Sequence, residues 1–292
     1  MNNVAEPETA PAPARIAVAI PCYNEAAAIA TVVAQFRAAL PAARIVVFDN
    51  NSTDDTGEIA RALGTCVILV REQGKGHAVR AAFATLTEED VLVLTDGDGT
   101  YPAECAPLLV TQVLDGHADM AVGARQPLPG AGAMSLTRGL GNHLIRAAFW
   151  VLVGPGNSDL LSGYRAFSKR YRALVRLRSS GFEIETELAS EAVARRLRVV
   201  EIPTPYHPRI AGTESKLRAF RDGRRILGTI VLQSFRLRPH RLLLAWIAPF
   251  LVLALTVHRA FAAIGGVGLI ALWGLVLIDI RVRRQEVRIG RE

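Results

Sequence analysis

Residues Val91 to Pro102 read VLVLTDGDGTYP, an apolar and β-branched run that stops at two aspartates separated by one glycine. The run has the composition of a strand buried on both faces. Asp96 and Asp98 stand two apart on extended backbone and so point to the same side. Two carboxylates that close repel, and one takes up a proton unless a cation sits between them. A hard divalent ion, Mg²⁺ or Mn²⁺ carrying a substrate phosphate, is one remedy; an exposed Asp-Gly turn is the plainer reading. Gly97 and Gly99 allow the backbone to turn there.

Spacing removes two sharper alternatives. An EF-hand loop needs a glutamate at its twelfth position, and the two available registers put Cys105 or Pro107 there. A phosphate-binding P-loop in LVREQGKGHA fails because Leu69 stands where the first glycine belongs and Gly76 follows Lys75.

Outward from this stretch, RIAVAI, RIVVFD, CVILV and ADMAVGA read as further strands, with helical patterns near 26 to 39, 55 to 63, 76 to 86 and 103 to 114. The alternation predicts an α/β, doubly wound domain with a parallel sheet covered on both faces. Ligands of such sheets bind beyond the carboxyl ends of the strands. Polar residues collect at those ends: PCYNE after the first, DNNSTDD after the second, REQGKG after the third. Taken singly, Asp49 reads as a turn residue and Ser52 or Thr53 as a helix cap. Lys75, between two glycines at a helix start, reads either as a diphosphate neighbour or as a solvated lysine.

The chain has 292 residues, 50% of them hydrophobic, enough for one good-sized core with apolar sequence left over. Ala260 to Ile278 carries no charge, about 28 Å as a helix, and Leu242 to Val257 is a shorter uncharged run containing Pro249. These predict a transmembrane hairpin within 241–281 (about 242–257 and 260–279), after an interfacial amphipathic region at 213–240 and before a basic tail at 282–292. Between residues 195 and 241 there are 12 basic and 3 acidic side chains. Arginines before the first expected span and after the second place both ends in the cytoplasm. The basic excess thus points to a membrane surface and not to nucleic acid. Residues 1–14 have no apolar centre and read as a disordered lead-in, leaving 15–212 for the folded domain. Cys22, Cys66 and Cys105 form no metal-spaced pair, and their odd number fits a reducing compartment. Oligomeric state is not legible, and a homo-oligomer stays open.

Six ordered stretches, IAVAIPCYNEAAAI, VVFDNNSTDDT, GKGHAVRAAF, DGDGTYP, DLLSGYRAFS and ESKLRAFRDG, resemble family 2 glycosyltransferases of the dolichol- or polyprenyl-phosphate type. The resemblance covers residues 15 to about 235. It implies a GT-A catalytic domain, a nucleotide-sugar donor, Mg²⁺ or Mn²⁺, and a polyprenyl phosphate acceptor. By the matching motifs, Pro21, Tyr23 and Glu25 would line the nucleotide pocket, with Asp49 reading the base, Ser52 nearby and Lys75 by the diphosphate. Asp96 would lie near ribose and metal, Asp98 would be a direct metal ligand, and Thr100, where several relatives have a glutamine, would complete the metal set with Asp96 and Asp98 or leave that place to water. Arg125, Arg138 and Asn142 match acceptor-phosphate positions, with Asp98, Arg125 and Arg138 expected to carry the catalysis. Arg209 and Lys216 match a segment that closes over the diphosphate. Arg218, Arg221, Arg224 and Arg225 read as solvated or lipid-facing charges.

Two local readings remain beside these. Ser162 and Arg165 of SGYR either contact ligand or fix a loop against the sheet. Glu183, Glu185 and Glu187 include a candidate base, although Glu185 at a helix start also suits the helix dipole. The variants DGDGTYP and TESKLRAFRDG are more similar to enzymes using UDP-hexoses or UDP-N-acetylhexosamines than to those using GDP-mannose. Three lysines among 34 basic residues suggest a GC-rich bacterial genome, hence an undecaprenyl or decaprenyl acceptor at the inner membrane, with the catalytic domain on its cytoplasmic face. Three other functions are weighed: a sugar-nucleotide pyrophosphorylase, which would carry a glycine-rich loop where PCYNEAAA stands; a processive synthase, which would need tryptophan where QSFRL has leucine; and a non-catalytic membrane adaptor. A glycosyltransferase acting on another membrane glycan also remains.

Overall fold

Strands apolar on both faces need helices above and below them. That is the arrangement in the computed structural model of the chain, which describes residues 13–127, 136–213, 219–256, 271–279 and 281. Four parallel strands come first: β1 (Ile16–Cys22), β2 (Arg44–Asp49), β3 (Cys66–Leu69) and β4 (Val91–Leu94). Helices α1 (Ala26–Ala39), α2 (Thr56–Ala62) and α3 (Lys75–Thr85) make the crossovers. A 3₁₀ turn and α4 (Ala106–Leu114) lead to β5 (Met120–Pro127), followed by α5 (Leu136–Leu152). Then come β6 (Arg165–Ser168), α6 (Lys169–Leu174), α7 (Ile184–Ala194), β7 (Val199–Tyr206), α8 (Ala219–Leu237) and α9 (Pro239–Thr256). The sheet order is β3-β2-β1-β4-β6-β5-β7.

Alternate residues of the strands serve two cores. Val18, Ile20, Val47, Val91 and Val93 face Ile29, Val33 and Phe36 of α1 and Leu109 of α4. Their neighbours Ala19, Val46, Phe48, Leu92 and Leu94 face Val79 and Ala82 of α3 and Ile184 and Leu188 of α7. Each fully buried large side chain stabilises the fold by about 1.5–3 kcal/mol, so the sheet cannot slip register without exposing one core or the other.

Two strands lie outside the predicted set. β6 is antiparallel to both β4 and β5, so the sheet is mostly and not wholly parallel. It begins with Arg165, wholly buried, whose Nε donates to Ser162 O at 2.9 Å and Nη2 to Leu160 O at 2.8 Å. A buried guanidinium needs such partners, and these fix the SGYR loop to the sheet. β7 contains Pro203 and Pro205 and pairs only with β5, at the edge where missing N–H donors cost nothing.

A third core joins Ile145, Phe149 and Val153 of α5, Ala189 of α7, and Ile226 and Ile230 of α8. Gln233 of α8 also donates to Glu187 Oε1 at 3.0 Å, and Ser234 Oγ to Leu152 O at 2.8 Å. The helix expected to be interfacial is therefore packed on the catalytic domain along one face, with Val231, Leu232 and Phe235 exposed on another. The transmembrane hairpin is not borne out: among the described residues no helix is long and apolar enough to cross a membrane. α9 starts with His240 and Arg241 in its first turn and holds Pro249 inside. Of the second expected span, residues 260–270 lie outside the described residues, as do 1–12 of the lead-in and 282–292 of the tail.

Candidate active site

After β4 the chain turns at Gly99, whose φ of 75° is a left-handed value that glycine adopts without strain. The turn directs both aspartates into one cleft. Asp98 Oδ1 accepts from the Thr100 amide at 3.1 Å and hydroxyl at 2.7 Å, and Oδ2 pairs with Arg209 Nη1 at 2.6 Å. Thr100 thus grips Asp98, and it stands behind the residues that line the cleft. Asp96 Oδ1 pairs with Lys75 Nζ at 2.5 Å, and the same ammonium reaches Glu185 Oε1 at 2.6 Å. Burial pushes the Asp98 carboxyl pKa up and Asp96 adds to it, with Arg209 opposing both. Burial likewise raises Glu185 against the pull of Lys75. For Lys75, burial works against the charge, yet Asp96 and Glu185 override it and hold the ammonium pKa above its usual range.

The cleft encloses about 580 Å³. Pro21, Tyr23 and Glu25 line it from the end of β1, Lys75 from the start of α3, Asp96 and Asp98 from the end of β4, and Arg209 from the loop after β7. That loop is docked by the His207 amide donating to Thr100 O at 3.0 Å and the Ile210 amide to Asp98 O at 3.3 Å. Asp49 and Ser52 stand behind this lining: the Ser52 amide donates to Asp49 Oδ1 at 3.0 Å, and Ser52 Oγ accepts from the Asn24 amide at 3.0 Å. They shape the loop that presents Tyr23.

Of the expected acceptor residues, Arg125 is the one whose side chain is described, and it stands outside this cleft lining. Arg125 forms a two-pronged pair with Asp159, Nε to Oδ2 and Nη2 to Oδ1 both at 2.7 Å, and its guanidinium lies 5.4 Å from the Tyr206 ring centre. Its fork is filled by a carboxylate where the sequence reading gives it a phosphate. Arg138 and Asn142 belong to α5, with side chains outside the described residues; Lys216 lies outside them altogether.

Several residues of the site were not legible as such. Asn50 takes the Gly74 amide on Oδ1 at 2.6 Å and donates from Nδ2 to Val70 O and Glu72 O, which fixes the loop that delivers Lys75. Arg221 and Arg225, read as solvated charges, line the cleft with Asp222. Glu185 starts α7 as its dipole favours, but it is buried against Lys75 and not exposed. Glu187 is also buried, and accepts from the amides of Arg178 and Ser179 as well as from Gln233.

Among the described residues no group of three or more His, Cys, Asp or Glu side chains is placed to hold a metal. Two hard carboxylates opening on one cleft, completed by phosphate oxygens and water, are nevertheless a donor set that Mg²⁺ or Mn²⁺ accepts. The residues present fit such an ion bound together with a diphosphate.

Residues 17–165, which hold β1 to β5 and the aspartate pair, match the model of glycosyl transferase family 2. The chain belongs to that family. This family 2 enzyme is 37% identical over 226 residues to glycosyltransferase AglJ of Haloferax volcanii, covering 77% of this chain and 73% of the relative. It is 33% identical over 216 residues to a dolichyl-phosphate hexose transferase of the same organism, covering 74% and 92%. Among solved structures, glucosyl-3-phosphoglycerate synthase of Mycobacterium tuberculosis superposes with a TM-score of 0.60 at 23% identity, over 76% of this chain and 80% of that one. That likeness shows the GT-A-like sheet and its helices.

Proposed function

We propose that this glycosyltransferase moves a sugar, with inversion, from a nucleotide sugar to a polyprenyl phosphate, at the cytoplasmic face of a bacterial inner membrane. The observation that carries the reading is the composition of one cleft. Its floor holds the carboxylates of Asp96 and Asp98, and its side holds Arg209, Arg221 and Arg225, a pattern suited to a diphosphate escorted by a divalent cation. The relative named as a dolichyl-phosphate hexose transferase supports a lipid phosphate acceptor. UDP-hexoses or UDP-N-acetylhexosamines are the favoured donors over GDP-mannose, on the form of the DGDGTYP and TESKLRAFRDG stretches.

In this reaction an acceptor phosphate oxygen forms a bond to the anomeric carbon as the bond to the donor diphosphate breaks. A phosphate is ionised near neutral pH, so no protein base has to take a proton from it. Arg209, Arg221 and Arg225 face the charge that grows on the leaving diphosphate. Bound by Asp98 and Asp96, a divalent ion would neutralise that diphosphate. Val231, Leu232 and Phe235 on α8, close in sequence to Arg224, Arg225 and Arg236, suit contact with an anionic bilayer surface where the lipid phosphate emerges.

The test is transfer of label from a panel of UDP- and GDP-sugars to undecaprenyl phosphate, with detergent-solubilised protein and Mn²⁺ or Mg²⁺. Metal-dependent label in the organic phase from one donor is expected, and Asp98→Ala should abolish it while leaving thermal unfolding near that of the parent. Absence of label with every donor refutes the reading.

A further inference from the structure

The aspartates on the cleft floor are matched one for one by cations: Asp98 by Arg209 and Asp96 by Lys75. Elsewhere in its lining, Glu25 and Asp222 are matched in number by Arg221 and Arg225. Glu185 stands apart from this balance. It does not line the cleft but is buried, 3% exposed, at the start of α7, and its carboxylate reaches the Lys75 ammonium that Asp96 also holds. The Gly163 backbone closes against the same pair: a Cβ there would come within 2.8 Å of both Asp96 carboxylate oxygens and of Lys75 Nζ. Lys75 therefore has one place to sit, shared between two carboxylates.

We propose that Glu185 is a positioning residue of the sugar-transfer site, which holds Lys75 on Asp96 and adds a negative charge that the cations lining the cleft do not balance. Without it the floor would be neutral and would take a nucleoside diphosphate unaccompanied. With it, a bare diphosphate is repelled and a divalent cation is drawn in, so that cation and diphosphate bind together. The charge acts from a buried side chain outside the lining, where neither ligand can displace it. Asp96 keeps only Oδ1 on Lys75, which leaves its second oxygen, with Asp98, to face the cation. This inference rests on the sugar-transfer reading of the cleft.

The experiment compares wild type with Glu185→Gln, which keeps shape and removes charge, in two binding measurements on the full-length protein. Mn²⁺ alone is titrated by electron paramagnetic resonance, and UDP and GDP are titrated in EDTA by calorimetry. Glu185→Gln should weaken Mn²⁺ about tenfold, the scale of one charge acting on a divalent ion a few ångströms away in a partly aqueous cleft, and should tighten the metal-free nucleotide about threefold. The opposite signs are the signature, since a merely structural role would weaken both. The double variant Glu185→Gln/Lys75→Met restores the net charge and should return Mn²⁺ affinity toward the parent value; if Glu185→Gln does not fold, Glu185→Asp, which keeps the charge on a shorter side chain, should keep Mn²⁺ affinity within about threefold of the parent, and a larger loss overturns the charge role. Equal losses for both ligands, no change in either, or a double variant weaker than the single one for Mn²⁺ overturns the role of Glu185 and leaves the sugar-transfer reading standing. A wild-type protein that binds neither Mn²⁺ nor nucleotide overturns both.

Discussion

Replacing Asp159 by asparagine separates two accounts of Arg125. In the structure Asp159 accepts three hydrogen bonds from that residue: from the amide at 3.1 Å and from Nε and Nη2 at 2.7 Å. The side chains are 27% and 17% exposed, so the pair is mostly shielded from water. A hydrogen bond to a charged partner contributes about 1.5–3 kcal/mol, and an asparagine keeps one neutral acceptor while stranding the guanidinium. The expected loss at pH 7 is about 2 kcal/mol, or a fall of about 4–8 °C in Tm for a domain of this size. Burial raises the Asp159 carboxyl pKa, but the Arg125 hydrogen bonds outweigh it and hold the group below its usual range. A depressed carboxyl stabilises the fold above its unfolded value, near 3.9, and loses that contribution as pH falls through the folded value. Scanning calorimetry of parent and variant should show the full gap at pH 7 and a narrowing one below about pH 4. If Asp159→Asn melts like the parent at pH 7 while its KM for lipid acceptor changes tenfold, the pair is not structural and Arg125 serves the acceptor directly.

Three further perturbations test other parts of the site. Gly163→Ala would push a methyl into the Asp96 and Lys75 side-chain ends, which can swing away, so Tm should hold within about 2 °C while Mn²⁺-dependent nucleotide binding in calorimetry falls at least tenfold. Thr100→Val removes the hydroxyl that grips Asp98; Mn²⁺ affinity should drop about threefold to tenfold without vanishing, whereas complete loss would make the hydroxyl itself a ligand. Leu232→Asp with Phe235→Asp changes side chains that are 57% and 66% exposed, so folding should survive while flotation with anionic vesicles falls about tenfold; unchanged flotation would move the membrane contact off α8.

The part of the fold legible in the sequence is the part written in continuous apolar runs. β1 to β5 each carry such a run, and the first four close on a polar cluster, so their existence and shared direction followed from pattern alone. β6 gives no such signal, having four residues of which one is an arginine whose burial depends on carbonyls of the preceding loop. β7 was masked by two prolines that an edge strand tolerates. The site divides the same way. Residues at strand ends announced themselves, whereas Glu185, Asp159 and Arg221 act through partners or walls that only the folded chain brings near. No periodicity distinguishes a carboxylate buried beside a cleft from one capping a helix in water.

The bond from Gln233 to Glu187, together with the core shared by α5, α7 and α8, has a mechanical meaning. The helix that offers Phe235 outward offers Arg221 and Arg225 inward, and the packing between them leaves no room for it to roll. The height of the reaction centre above whatever surface α8 rests on is therefore a built dimension of the protein, like the reach of a fixed arm. In the proposed reaction the lipid acceptor would have to bring its phosphate to that height, and the slack in the system would belong to the acceptor's chain and not to the enzyme.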